Sequence, residues 1–137
     1  MKKIKFIANP ELFDDPIAFV AHIGVVNGKE DLLRQVAEHL RFPSYFGCNW
    51  DALLDCMRNF EWIEQFKIIL VHDEMVQLPL NDFRIYIEIL STAMNEWTYW
   101  NEHDFEVVFP SRYEDLIHPY EEKYLVELEK LLKREFQ

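Results

Sequence analysis

Asp51 and Asp55 lie four residues apart in the segment Asn49-Trp50-Asp51-Ala52-Leu53-Leu54-Asp55-Cys56-Met57. On a helix that spacing stacks the two carboxylates on one face. The positions four residues from either are Gly47, Asp55, Asp51 and Asn59, so no basic side chain stands there, and only Arg58, three beyond Asp55, is placed to offset their repulsion. The helix dipole favours an acid in the first turn, which accounts for Asp51; Asp55, a turn deeper and facing its twin, has weaker support. Such a pair suits an external cation. Tyr45, just before Phe46-Gly47, adds a rigid aromatic with a hydroxyl, equally suited to a protein interface or to a partly buried loop. Together the three outline an acidic and aromatic patch at a junction of loop and helix.

The elements that must position this patch follow from periodicity. Asn49 suits an N-cap, and Trp50, Leu53, Cys56, Met57 and Phe60 recur at helical spacing opposite Asp51, Asp55 and Arg58. Upstream, 4–7 and 18–23 read as strands, and Leu32, Leu33, Val36 and Leu40 mark a helix ended by Phe42-Pro43. The run Phe66-Lys67-Ile68-Ile69-Leu70-Val71 is apolar and β-branched enough to predict a central strand covered by helices on both faces. A helix from Asn81 and a strand at 105–109 follow. Strands separated by helices favour a parallel core sheet, with the two N-terminal strands free to pair antiparallel. Beyond Pro119, placed in a first turn, Leu125, Leu128, Leu132 and Phe136 form a narrow apolar stripe. That helix either docks onto the domain or serves an interface. The chain is expected to be α/β, a small parallel sheet packed with helices, in one domain over 1–137. Its core is set at about 17–110 and a helical extension at about 111–137.

Half of the 137 residues are apolar, enough for a packed core. Twenty-five acidic against fourteen basic side chains give a net charge of −11, which opposes direct nucleic-acid binding and favours a basic protein surface, although solubility alone also explains it. No signal segment and no membrane span is read, so a cytoplasmic location is expected. Cys48 and Cys56 lack metal-ligand spacing and are expected to be reduced thiols, Cys56 acting as a small buried apolar group.

The stretch Pro43-x-Tyr45-Phe46-Gly47-x-Asn49-x-Asp51-Ala52-Leu53-x-Asp55-Cys56 resembles the loop and second helix of the barstar family of ribonuclease inhibitors. Weaker similarity runs over about 17–110. The resemblance implies a three-stranded parallel sheet with helices, and a loop and helix inserted into a nuclease active site. It implies partner-binding roles for Tyr45, Gly47, Asn49, Asp51, Leu54 and Asp55. Asp55 would sit where the substrate phosphate sits, Asp51 would face basic groups beside it, and Gly47 would let the loop backbone approach closely. Two positions depart from the family: Leu54 stands where a tryptophan is usual, and the later acidic contact aligns with Thr92, or with Glu96 under a different gap. The implied partner is a basic ribonuclease or related nuclease toxin, bound by a monomer or weak dimer, with no enzyme activity, no cofactor and no metal.

Two rival readings remain. His72-Asp73-Glu74 or His103-Asp104 would start a metal or enzyme site, although adjacent residues on a strand point opposite ways and His22, His39 and His118 form no recognisable spacing. Alternatively the chain is an immunity protein against another basic toxin, or a non-inhibitory adaptor that uses the C-terminal helix.

Overall fold

The computed structural model describes residues 1–136. Its elements in chain order are β1 (Lys5–Ile7), β2 (Phe19–Ile23), β3 (Val26–Asn27), α1 (Lys29–His39), α2 (Trp50–Met57), β4 (Lys67–His72), β5 (Val76–Gln77), α3 (Leu80–Trp100), β6 (Asp104–Pro110) and α4 (Glu114–Glu135). The main sheet has four strands in the order β1-β6-β4-β2, and β3 pairs with β5 in a separate two-stranded ladder. Every pairing is parallel, as crossover connections through helices require.

The fold class is therefore α/β, with three corrections to the sequence reading. The N-terminal strands do not pair with each other: β1 joins β6 and β2 joins β4, because the helical crossovers bring distant strands between them. The sheet holds four strands and not three, since β1 adds an edge. Helices cover only one sheet face. There Ile68, Leu70, Phe105, Val107 and Phe109 join Leu53, Met57, Tyr86, Leu90 and Met94 in one apolar cluster. On the other face Ile69, Val71 and Val108 pack against Phe13, Ala18 and Val20, so the segment around the 3-10 turn Pro10–Leu12 is the cover. His22 pins that segment, its Nδ1 lying 2.6 Å from Asp73 Oδ1 and its Nε2 2.9 Å from the Phe13 carbonyl oxygen. On the same face buried Glu106 pairs with Lys67 at 3.0 Å and with Lys5. Burial alone would push the Glu106 carboxyl up, but hydrogen bonds and charge from Lys5 and Lys67 outweigh it and hold the carboxyl below its usual range.

The C-terminal helix begins before Pro119, at Glu114, so the proline lies inside α4. It docks on α3: Phe83 meets Tyr120, Thr92 Oγ1 lies 2.7 Å from Tyr124 Oη, and Tyr99 stacks on Phe136 at 4.4 Å. These contacts rise together in number, so α3 and α4 run parallel. Ile117 is fully buried in the main core, while Leu125, Leu128 and Leu132 bury the predicted stripe. The two termini are tied as well, buried Glu121 of α4 accepting from the Ile4 backbone N–H at 2.7 Å.

Candidate functional site

The patch is built from the end of α1 onward. Helix α1 closes with Arg41 in the left-handed conformation (φ 57°), the Phe42 N–H donating to the Ala37 carbonyl at 2.8 Å and the Arg41 N–H to that of Glu38 at 3.3 Å. This closing turn satisfies the last carbonyls and sends the chain away from the helix axis. The loop is then anchored by aromatics: Phe42 meets Phe46 edge-on at 5.0 Å and Trp62 at 5.9 Å, and the Trp62 indole donates to the Leu40 carbonyl at 2.9 Å. With its neighbour Phe46 held inward, Tyr45 is left 67% exposed.

Cys48, not Gly47, takes the left-handed turn here (φ 49°). A Cβ on Gly47 would meet nothing nearer than Asn49 Nδ2 at 3.4 Å, an ordinary contact, so the isolated fold does not demand glycine there. Asn49 caps α2 as expected, its Oδ1 accepting from the Ala52 N–H at 2.8 Å and its Nδ2 donating to the Gly47 carbonyl at 3.3 Å. The cap fixes the helix phase. Leu53, Cys56 and Met57 are buried, whereas Asp51 and Asp55 are exposed and carry no ion pair or hydrogen bond among the described residues. Trp50 is half-buried against Tyr86, with the Lys29 ammonium 5.3 Å from its ring. Leu54 is also half-buried and packs on the main core, so only part of it faces outward.

Two expectations are corrected. Phe60 is buried but lies beyond α2, in the left-handed conformation (φ 51°), since the helix ends at Met57. Arg58 does not offset the aspartates: its Nε donates to Glu96 Oε1 at 2.8 Å, and that carboxylate is almost wholly buried on α3. Burial pushes the Glu96 carboxyl up, and the Arg58 hydrogen bond and charge recover only part of that rise. Thr92 is nearly buried and turns to Tyr124, its hydroxyl also donating to the Glu88 carbonyl at 2.8 Å. Both positions considered for a later acidic contact are thus engaged internally. No sequence spacing could have revealed the pairing of Arg58 with a residue 38 positions away.

The histidine-based alternatives do not assemble: His103 turns its Nδ1 to the Gln65 carbonyl oxygen at 3.0 Å while Asp104 pairs with Lys2. His72 is fully buried, its Nδ1 donating to the Val108 carbonyl at 2.9 Å and its Nε2 accepting from the Tyr86 hydroxyl at 2.7 Å. Burial pushes its pKa down to about 3. The adjacent Asp73 turns to His22, and Glu74 pairs with Arg112. Among the described residues no group of three or more His, Cys, Asp or Glu side chains is placed to hold a metal ion. Among the described residues no helix is long and apolar enough to cross a membrane.

Fold and site together define a small α/β protein with a parallel sheet, whose aromatic loop and short capped helix present two carboxylates that are unpaired among the described residues. A family model described as Barstar (barnase inhibitor) matches residues 18–110, and the chain belongs to the barstar family. The match takes in the whole loop and α2, while β1 and α4 lie outside it. Comparison with curated proteins and with solved structures finds no match.

Proposed function

We propose that this chain is a cytoplasmic, immunity-type inhibitor of a basic ribonuclease, and not an enzyme, which blocks the nuclease active site with the surface formed by the loop and α2. The observation that carries the reading is the pair Asp51 and Asp55, exposed and without a partner among the described residues, on a helix inside the family-matched stretch. Asp55 meets the cationic groups that bind the substrate phosphate, and Asp51 meets basic groups beside them. Tyr45 supplies an aromatic anchor, and Asn49 holds the loop to the helix. Gly47 permits close backbone approach, which fits a position where the isolated fold has no need of glycine. Leu54 adds a small apolar contact. The free thiols of Cys48 and Cys56 accord with a reducing compartment.

One observation favours a partner that differs in detail from barnase, either a related ribonuclease or another basic toxin. Leu54 is half-buried where the family has a tryptophan, and Thr92 and Glu96 are engaged inside the molecule. The contact surface therefore rests more heavily on α2 and its loop. The test is titration of a small basic ribonuclease encoded beside this chain. Inhibition is expected to reach its end point at one inhibitor per nuclease and to be relieved by excess RNA. A nuclease unaffected by a molar excess of the protein overturns the reading.

A further inference from the structure

The pairing of Arg58 with Glu96 has no evident value to the core. It keeps a carboxylate almost fully out of water on α3, and a buried ion pair is often no more stabilising than an apolar pair of the same size. Its place matters more. Arg58 follows α2 directly, three residues after Asp55, the spacing at which oppositely charged helical side chains meet, and it is the basic side chain in that stretch within such reach. Left free, its guanidinium would neutralise Asp55 from within.

We propose that Glu96 is a positioning residue: it draws Arg58 away from α2 and so keeps Asp55 unpaired and available to an external cation. The inference rests on the acidic surface of α2 being the binding surface, but it concerns the isolated protein and can be tested there. The guanidinium is held through Nε on the α3 side, and among the described residues Glu96 is reached by no other basic group.

The test uses triarginine peptide as the cation, titrated at low ionic strength into the full-length protein, with binding followed through the backbone amide resonances of Asp51 and Asp55. Glu96→Met keeps the side-chain volume but removes the acceptor. Arg58 is then expected to pair with Asp55, and the peptide to bind there about twofold to fivefold more weakly than to wild type. Adding Arg58→Met in the same background is expected to restore the wild-type affinity, a recovery that general damage to the fold would not give. Should Glu96→Met fail to fold, Glu96→Leu, which likewise removes the acceptor, with and without Arg58→Met supplies the same comparison. Unchanged affinity in the Glu96 variant overturns the proposal, as does a loss that persists when Arg58 is also removed. The peptide measurement involves no nuclease, so a protein that shows this pattern yet inhibits no ribonuclease would sink the inhibitor reading and leave the role of Glu96 standing.

Discussion

Acid should unfold this protein through His72. The imidazole is stacked on Phe109 at 3.7 Å and has both nitrogens engaged, Nδ1–H with the Val108 carbonyl and Nε2 with the Tyr86 hydroxyl. Protonation would put a charge in the core and a hydrogen on Nε2, where the Tyr86 hydroxyl already donates. The folded pKa is accordingly about 3, against 6.5 for a free histidine. Because the folded value is depressed, the unfolded chain takes up a proton at pH values where the folded one does not. The His72 contribution is constant well above 6.5 and falls on acidification, by about 1.4 kcal/mol per pH unit, down to the folded value. Between pH 6.5 and 4.5 the loss is about 2–3 kcal/mol, a large share of the ~5–15 kcal/mol that holds a domain of this size. Glu96 and Glu121, pushed up by burial, contribute with the opposite sign, since their stabilisation is present below the ordinary glutamate value and is lost as pH rises through the folded one. The assay is therefore differential: urea unfolding of wild type and His72→Gln, which can keep both hydrogen bonds but cannot titrate, from pH 7 to 4.5. The stability gap should close or reverse on acidification by about 2–3 kcal/mol. A gap independent of pH would refute the reasoning.

Cys48 is expected to react with a thiol reagent in the folded protein while Cys56 resists until denaturant is added, because burial and the nearby charge of Asp55 push the Cys56 thiol up; equal labelling of the two would show the phase of α2 to be wrong. Truncation after Pro110 removes Ile117, Leu125, Leu128 and Leu132 and strands the Ile4 N–H bonded to Glu121, so stability should fall by several kcal/mol while the folded remainder still inhibits. Urea midpoints and nuclease inhibition check the two halves of that expectation, and a truncated protein as stable as the full chain, or folded but inactive, would contradict it.

The loop and α2 were legible in the sequence because their signals are local: a capping asparagine, apolar residues three and four apart, and two acids left on the other face. The strands β2, β4 and β6 were legible for the same reason. What the sequence did not disclose is non-local. The separation of β1 from β2 depends on which strand comes between them, and the cover of the second sheet face by Phe13 depends on a loop without periodicity. β3 and β5 are two residues each, too short for any alternation to show. Pro119 marks a first turn in most helices, but here the helix had begun at Glu114. The fate of Arg58 was open because its neighbour three residues back, Asp55, is a reasonable partner until α3 brings Glu96 beside it.

The most direct test of the central claim is inhibition of a basic ribonuclease encoded beside this chain, compared for wild type and Asp55→Ala across ionic strength. Truncating one partner of a buried interfacial charge pair costs about 2–5 kcal/mol, or about thirtyfold to several-thousandfold in affinity, a range to which the barnase–barstar pair itself contributed and which carries over as a family expectation. Because Asp55 is exposed and has no partner among the described residues, the variant should fold as wild type does. Association of wild type should slow as salt rises, since a chain of charge −11 steers toward a cationic cleft over a screening length of about 10 Å at 0.1 M. The account predicts a folded Asp55→Ala protein with inhibition weakened at least thirtyfold. A folded variant that inhibits as well as wild type would contradict the assignment of α2 as the inhibitory element.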